Sequence, residues 1–203
     1  MMVLVKLMKR DYTFPIIYCM PTTTISFYET VGSNLDQAMS DICSKFREIL
    51  CNNPWLCGRI VKETVQGESG VYLSYEQVLP TDLDQYLVVR TEDKVFQFKE
   101  WVPLCDYLGP LQPKMGVQCI GKNERLCQLV VFRGIEVNKI AIMWSLCHSL
   151  GDGWTFYRLW KMLDKSEAVT QLVFERIHEA DDLVERDTNL EPDEDEMQTL
   201  CGL

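Results

Sequence analysis

Residues 140–153 read IAIMWSLCHSLGDG, and this stretch decides how the rest of the chain is interpreted. The apolar run at 140–146 is the right length for a buried strand and short for a buried helix. The aspartate between two glycines at 151–153 predicts a tight loop, and apolar residues with helical spacing begin at Trp154. The sequence therefore predicts a strand, a sharp loop that carries His148, and a helix.

The composition of the 203 residues predicts one folded domain with an acidic end. Hydrophobic residues make up 47% of the chain, which is enough for a sizeable core. The formal net charge is −10, and ten acids and one base between 179 and 196 account for −9 of it. The remainder is nearly neutral and shows no basic patch, so nucleic acid is not expected as a partner. We assign 1–178 to the folded domain and 179–203 to an acidic tail that is predicted to be disordered.

The nine cysteines and the N-terminal residues indicate an intracellular protein. No two cysteines have CxxC spacing and their number is odd, so we interpret them as small buried residues in a reducing compartment rather than as disulfides or metal ligands. Residues 1–8 are apolar, but Lys6 interrupts them and charged residues follow, which does not fit a secretory signal. No apolar run reaches the ~20 residues that a membrane span needs. We therefore predict a cytoplasmic protein without a membrane span and without a metal.

Strands and helices alternate irregularly along the chain, which predicts a sandwich of the α/β or α+β class with helices packed against a sheet. We adopt the α/β class, as a two-layer sandwich of a mixed β-sheet with helices packed on it. Pro15 and Pro21 indicate that the first strand lies at an edge or bends. Proline and glycine at 101–116 predict a long irregular loop. Residues 11–29 are predicted to be extended, with an interruption at Pro21. The other predicted strands are 71–78, 87–89, 95–98, 125–132 and 139–146; the predicted helices are 34–50, 154–163 and 171–178.

His148 is the candidate catalytic residue, because the unperturbed pKa of histidine suits a general base near neutral pH. Asp152 is expected to hold the loop in shape, either by pairing with another side chain or by capping the following helix. A histidine that is simply hydrogen-bonded at the edge of the core is the alternative interpretation. A catalytic pair of Cys147 and His148 is disfavoured, since neighbouring residues of an extended segment point to opposite faces.

Residues 148–153 form an HxxxDG motif, which resembles the signature of the coenzyme-A-dependent acyltransferase superfamily. That group includes chloramphenicol acetyltransferase, the BAHD acyltransferases, wax ester synthases and the condensation domains of peptide synthetases. Residues 53–60, NPWLCGRI, resemble the segment that follows the first long helix of BAHD enzymes. The resemblance covers about residues 12–165 and is greatest for the N-terminal half of a BAHD-type enzyme. It implies a chloramphenicol acetyltransferase-like fold.

The resemblance also implies roles for residues of the motif. His148 matches the base that deprotonates a hydroxyl or amine acceptor, and acyl-coenzyme A is the implied co-substrate. Asp152 matches an aspartate that supports the loop, usually through an arginine, and Gly153 matches the motif glycine. Cys147 stands where condensation domains and wax ester synthases often have a second histidine, which favours the BAHD branch. No residue is assigned to coenzyme binding, and no permanently bound cofactor is expected.

The chain also departs from the family pattern. BAHD enzymes are about twice as long, and the Asp-Phe-Gly-Trp-Gly motif of their second half does not occur in this sequence. The sequence therefore predicts a half-enzyme, an incomplete gene product, or a subunit whose site needs a second half-domain or a homo-oligomer. The leading hypothesis is acyl transfer from a coenzyme A thioester to a small alcohol or amine. The alternatives are a catalytically incomplete module for binding or oligomerisation, and amide formation of the condensation-domain kind.

Overall fold

A computed structural model describes residues 1–8, 16–29, 35–83, 85–135 and 138–174. The bounds of the seven strands in this part of the chain are β1 Met2–Lys6, β2 Thr22–Glu29, β3 Arg59–Val65, β4 Glu68–Glu76, β5 Leu87–Asp93, β6 Cys127–Gly134 and β7 Lys139–Leu146. The α-helices are α1 Leu35–Asn52, α2 Trp101–Leu108, α3 Gly116–Cys119 and α4 Gly153–Lys161. Short 3-10 helices span Ile16–Tyr18, Pro54–Cys57, Lys94–Gln97 and Gly109–Leu111.

A four-stranded mixed sheet in the order β2-β7-β6-β5 carries the fold. Strands β5 and β6 run parallel, and the other neighbours are antiparallel. Side chains alternate between the two faces of β7, as a strand period of two requires. Trp144 faces a core shared with α1 and α4, and Met143 faces a second core shared with α2. The predicted α/β sandwich of a mixed sheet and packed helices is confirmed.

Strand β2 lies at the edge of this sheet, as the neighbouring prolines predicted. A separate antiparallel sheet in the order β1-β4-β3 adds its inner side chains, among them Ile60 and Leu73, to the core of α1 and α4. The sequence analysis did not separate this second sheet from the first. Strand β1 was missed, because its five residues have too little alternating pattern to distinguish a strand from an apolar leader.

Helix α1 confirms the predicted helix at 34–50. Six side chains at helical spacing are buried: Leu35, Met39, Cys43, Phe46, Ile49 and Leu50. The ring of Phe46 meets the ring of Trp144 edge to face, with 5.3 Å between centroids, which fixes the helix over the centre of β7. Residue 34, the first of the predicted range, lies outside the described residues.

Four secondary-structure predictions were wrong in part or in full. In the range 11–29, predicted to be extended, Ile16–Tyr18 form a 3-10 helix and the strand begins only at Thr22, while residues 11–15 lie outside the described residues. The predicted loop at 101–116 contains α2, where Pro103 occupies the first turn and so removes no N–H that the helix needs. The predicted strand at 95–98 is a 3-10 helix that begins where the Asp93 carboxylate accepts from the N–H of Val95 at 2.8 Å. Residues 171–174 of the predicted helix at 171–178 are irregular, and the rest of that range lies outside the described residues.

Asn53 accounts for the irregular course of 170–172. Its side chain is fully buried, donates to the carbonyl oxygens of Ile49 and Thr170 at 3.1 Å each, and accepts from the N–H of Leu172 at 2.7 Å. Phe174 stacks on Trp55 with 4.9 Å between ring centroids. These contacts satisfy backbone groups that a helix at this position would have paired internally.

The side chain of Arg59 hydrogen-bonds to its own segment and to the segments that precede β5 and β6. Its Nη1 donates to the carbonyl oxygens of Cys57 and Gly58 at 3.0 and 2.9 Å. Its Nη2 donates to Gln85 Oε1 and its Nε to Asn123 Oδ1, both at 2.8 Å. The guanidinium also lies over the ring of Tyr86, 5.4 Å from the centroid. The side chain therefore has a structural role.

We expect Arg59→Lys to lower the free energy of unfolding by about 1–3 kcal/mol, because an ammonium cannot reproduce the planar fork of donors. The measurement is urea unfolding followed by circular dichroism. Arg47→Met, at an exposed position of α1, is the control and should change stability by less than about 0.5 kcal/mol. Equal stability of Arg59→Lys and the parent protein would contradict the structural role.

Candidate active site

His148 lies two residues beyond the end of β7, on a turn that the backbone closes. The N–H of Cys147 donates to the carbonyl of Leu126 at 2.8 Å, which continues the pairing between β6 and β7 by one residue. The N–H of Leu150 then donates to the carbonyl of Cys147 at 2.9 Å. The imidazole is therefore held at the end of a central strand, where a rigid sheet supports a loop.

The imidazole is half-buried and has one protein partner on the edge strand. Its Nε2 lies 3.1 Å from Thr22 Oγ1, and the donor in this hydrogen bond depends on the tautomer of the ring. Burial lowers the pKa of His148 below its ordinary value, since desolvation disfavours the charged form. The neutral imidazole, which is the form that accepts a proton, is favoured near neutral pH.

Cys147 points into the core while His148 reaches the surface. The thiol is 1% exposed, and burial raises its pKa, so it is protonated and shielded. This supports the earlier argument against a catalytic pair of these two residues.

Helix α3 packs directly against the turn that carries the imidazole. A Cβ on Gly116 would lie 2.7 Å from Ser149 Oγ and 3.4 Å from Cys147 Sγ. Ser149 is fully buried. The turn is thus clamped between α3 and the ends of β6 and β7, and only glycine leaves room at position 116.

Asp152 caps α4, which is one of the two roles that the sequence analysis expected for it. Its side chain accepts from the N–H of Thr155 at 2.8 Å, which satisfies one of the free donors in the first turn. The arginine partner that the resemblance implies stays a prediction. The side chain of Asp152 is exposed, and its capping bond fixes the point at which the loop turns into the helix.

The two glycines of the motif differ in their surroundings. A Cβ on Gly151 would lie 2.8 Å from Thr155 Cγ2, whereas a Cβ on Gly153 would meet no atom within 4 Å. The packing of the described residues therefore requires a glycine at 151 and leaves space beside 153. A role for Gly153 in the reaction stays a prediction.

The structure brings together residues that the sequence analysis did not connect. Thr22 and Gly116 are 126 and 32 positions before His148 and contact the ring or its turn through the tertiary fold. A hydroxyl at every second position of β2 was the one available signal for Thr22. Nothing in the sequence distinguished Gly116 from the other glycines of the segment that was interpreted as a loop.

No group of three or more histidine, cysteine, aspartate or glutamate side chains in the described ranges is arranged to hold a metal ion. Across those same ranges, none of the helices combines the length and the apolar character that crossing a bilayer demands.

The lowered pKa of His148 predicts a component of stability that is lost in mild acid. In the unfolded chain the imidazole takes up a proton near its ordinary value of 6.5, whereas the folded protein resists protonation. The unfolded state then binds more protons, so stability falls as the pH decreases through 6.5 towards the lowered pKa. Urea unfolding at several pH values should show this slope, and His148→Gln should remove it.

The carboxylates of Asp41, Asp164 and Glu124 do not titrate in the pH range where His148 is expected to change stability. Hydrogen-bonded partners lower the pKa values of these groups below their ordinary 3.8 and 4.5, so they titrate at more acidic pH. An identical slope in the parent protein and in His148→Gln would contradict the assignment.

No protein-family model and no curated protein sequence matches the chain, whereas solved structures do. F. graminearum TRI101 complexed with coenzyme A and T-2 mycotoxin matches over 79% of this chain and 38% of its own, with a TM-score of 0.52 and 13% identity. Holo T3CT matches over 94% of this chain and 40% of its own, with a TM-score of 0.54 and 12% identity.

The epimerization domain from the third module of tyrocidine synthetase B matches over 80% of this chain and 34% of its own, with a TM-score of 0.53 and 11% identity. The chain thus spans about two fifths or less of the length of these structures. At such low identity the likeness concerns the arrangement of strands and helices. The chain has a chloramphenicol acetyltransferase-like α/β fold.

Proposed function

We propose that this chain supplies the general base for transfer of an acyl group from a coenzyme A thioester to a hydroxyl or amine. The observation that carries the proposal is the position of His148: half-buried, at the end of a central strand, with a lowered pKa and one hydroxyl partner. A fold shared with a protein that has been solved with coenzyme A and a second ligand supports it.

The reaction follows from the neutral imidazole. His148 Nε2 accepts the proton of the acceptor hydroxyl or amine as that group attacks the thioester carbonyl carbon. The tetrahedral intermediate collapses with cleavage of the carbon–sulfur bond, and the imidazolium returns the proton to the departing thiolate. An acceptor hydroxyl would take the place that Thr22 Oγ1 holds against Nε2. Thr22 is then a positioning residue that orients the ring before the acceptor binds.

Asp152 acts on this step indirectly. By capping α4 it fixes the loop and hence the direction of the imidazole. Acyl-coenzyme A is a co-substrate in this proposal, and a second half-domain or another copy of the chain completes its binding site.

We expect His148→Ala to lower kcat/KM for acyl transfer by about 10²–10⁴, which is the range for loss of a positioned base. The measurement is release of free coenzyme A from acetyl-coenzyme A with a panel of alcohols and amines. His178→Ala, which changes the other histidine of the sequence, is the matched control. A loss smaller than about tenfold in His148→Ala would remove His148 from the role of base.

A module for binding or oligomerisation is the second candidate function, and exposed aromatic side chains favour it. Trp154 and Tyr157 on α4 are 64% and 61% exposed. Residues three apart on a helix lie on the same face, so these two aromatic side chains form an exposed pair that another protein could cover. Under this candidate the same fold lacks catalytic activity.

For this module we expect light scattering to show a dimer or trimer that dissociates when Trp154 and Tyr157 are both changed to glutamate, because charge at a dry interface is unfavourable. Trp101→Glu, on the α2 side of the sheet, is the control. A monomeric parent protein would argue against the module.

Amide formation on a carrier protein remains the third candidate, and binding of a phosphopantetheinyl carrier in place of free coenzyme A would identify it.

A further inference from the structure

The register of β2 on β7 decides which residue of β2 meets the imidazole. Thr22 pairs with Leu146, the last residue of β7, and in this register its Oγ1 lies 3.1 Å from His148 Nε2. A slip of one residue would turn every side chain of β2 to the other face of the sheet. A slip of two residues keeps the faces and replaces Thr22 by a residue two positions away. The slip of two is therefore the one that the fold has to exclude.

The face of β2 that lies towards α1 and α4 does not exclude this slip. It carries a hydroxyl at every second residue, and the opposing residues of β7 are all apolar or aromatic. The pairs are Thr22 with Leu146, Thr24 with Trp144, Ser26 with Ile142 and Tyr28 with Ile140. A shift by two residues would set Thr24 opposite Leu146 and exchange one hydroxyl for another along the row. The row of hydroxyls thus distinguishes only weakly between the two registers.

The opposite face of β2 contains a polar pair next to apolar ones. Thr23 pairs with Ser145, and the next pairs on this face are Ile25 with Met143 and Phe27 with Ala141. Ser145 is fully buried, and Thr23 Oγ1 donates to its Oγ at 2.9 Å. A slip of two residues would place Ile25 or Pro21 opposite Ser145 and leave a buried hydroxyl without this partner, which is unfavourable. The pair of Thr23 and Ser145 therefore selects one register.

On the β6 side, Ser145 faces a glutamine whose side chain is bound elsewhere. Gln128 pairs with Ser145 and is also buried. Its Oε1 accepts from Arg125 Nε at 2.9 Å, and its Nε2 donates to the carbonyl oxygen of Gln85 at 3.4 Å. Within the described part of the chain, Thr23 is thus the side chain that hydrogen-bonds to Ser145.

The hydroxyl of Thr23 also anchors the start of β2. Its Oγ1 donates to the carbonyl oxygen of Pro21 at 3.2 Å as well as to Ser145. Proline has no N–H to pair with a neighbouring strand, so a side-chain hydrogen bond supplies the anchor at this end of the edge strand. Thr22 lies between the two residues that this hydroxyl holds.

We propose that Thr23 and Ser145 are positioning residues for acyl transfer, because their buried hydroxyl pair selects the register that brings Thr22 to His148 Nε2. Both residues act through Thr22. Their effect on transfer rests on the proposed function, whereas the contact between Thr22 and the imidazole can be measured without any turnover.

The test uses Thr23→Val, which keeps the β-branched shape that suits a strand and removes the hydroxyl. Thr23→Ser keeps the hydroxyl and is the conservative variant. Val130→Ala removes buried methyl groups from the same face of the sheet on β6 and is the control for a general loss of packing. The measurement is the nuclear Overhauser effect between the side-chain protons of Thr22 and the ring protons of His148 in the full chain.

We expect this Overhauser contact in the parent protein, in Thr23→Ser and in Val130→Ala, and its loss in Thr23→Val. A contact that persists in Thr23→Val would overturn the proposal, since the hydroxyl would then be unnecessary. Loss of the contact in Val130→Ala or in Thr23→Ser would also overturn it, because the cause would then be packing and not the hydroxyl. A parent protein without the contact would overturn it too.

Acyl transfer gives a second readout. We expect Thr22→Val and Thr23→Val each to lower kcat/KM by about three- to tenfold, the range that corresponds to one net hydrogen bond. Because Thr23 acts through Thr22, the double variant should lose no more than Thr22→Val alone, whereas losses that multiply would overturn the proposal. Absence of transfer in the parent protein would contradict the proposed function alone, and the Overhauser contact would then decide the role of Thr23 and Ser145.

Discussion

Burial of β7 on both of its faces is the constraint on which the rest of the structure depends. Its side chains alternate between the core under α1 and α4 and the core under α2, and Ile140 to Leu146 are all buried. A buried strand position can carry a polar side chain only where a partner satisfies it, as Thr23 does by donating to Ser145 Oγ at 2.9 Å. Beyond the end of β7, the first titratable side chain that reaches solvent is His148.

The environment of His148 balances two requirements of a base. Enough burial lowers its pKa and keeps the imidazole neutral, while enough exposure lets another molecule reach the ring. The neighbouring Cys147 shows the other extreme, because a thiol at 1% exposure is shielded from reaction. One residue along an extended segment therefore separates an inert core group from a candidate catalytic one.

Strand β2 links the candidate site to the rest of the surface. As an edge strand it is covered by a partner on one side only, and its residues are partly exposed along their length. Its first residue contacts the imidazole, and Tyr28 near its other end borders an apolar groove that Trp160 also lines. The hydrogen bonds of the Arg59 side chain, by contrast, go to its own segment and to the segments before β5 and β6, although Arg59 lies in a segment that resembles a family motif.

The sequence by itself determined the elements whose periodicity is strong: α1, the hairpin of β6 and β7, α4, and the loop with His148 and its aspartate cap. These follow from local hydrophobic spacing and turn residues, which need no knowledge of distant contacts. Only the tertiary structure decided the helix at α2, the separate sheet of β1, β3 and β4, and the partners of His148. Thr22 and Gly116 come to that imidazole through strand pairing and helix packing over long separations in the chain. The hydrophobic periodicity of a segment indicates which of its faces is buried, whereas the register of strand pairing determines which distant residues that face contacts.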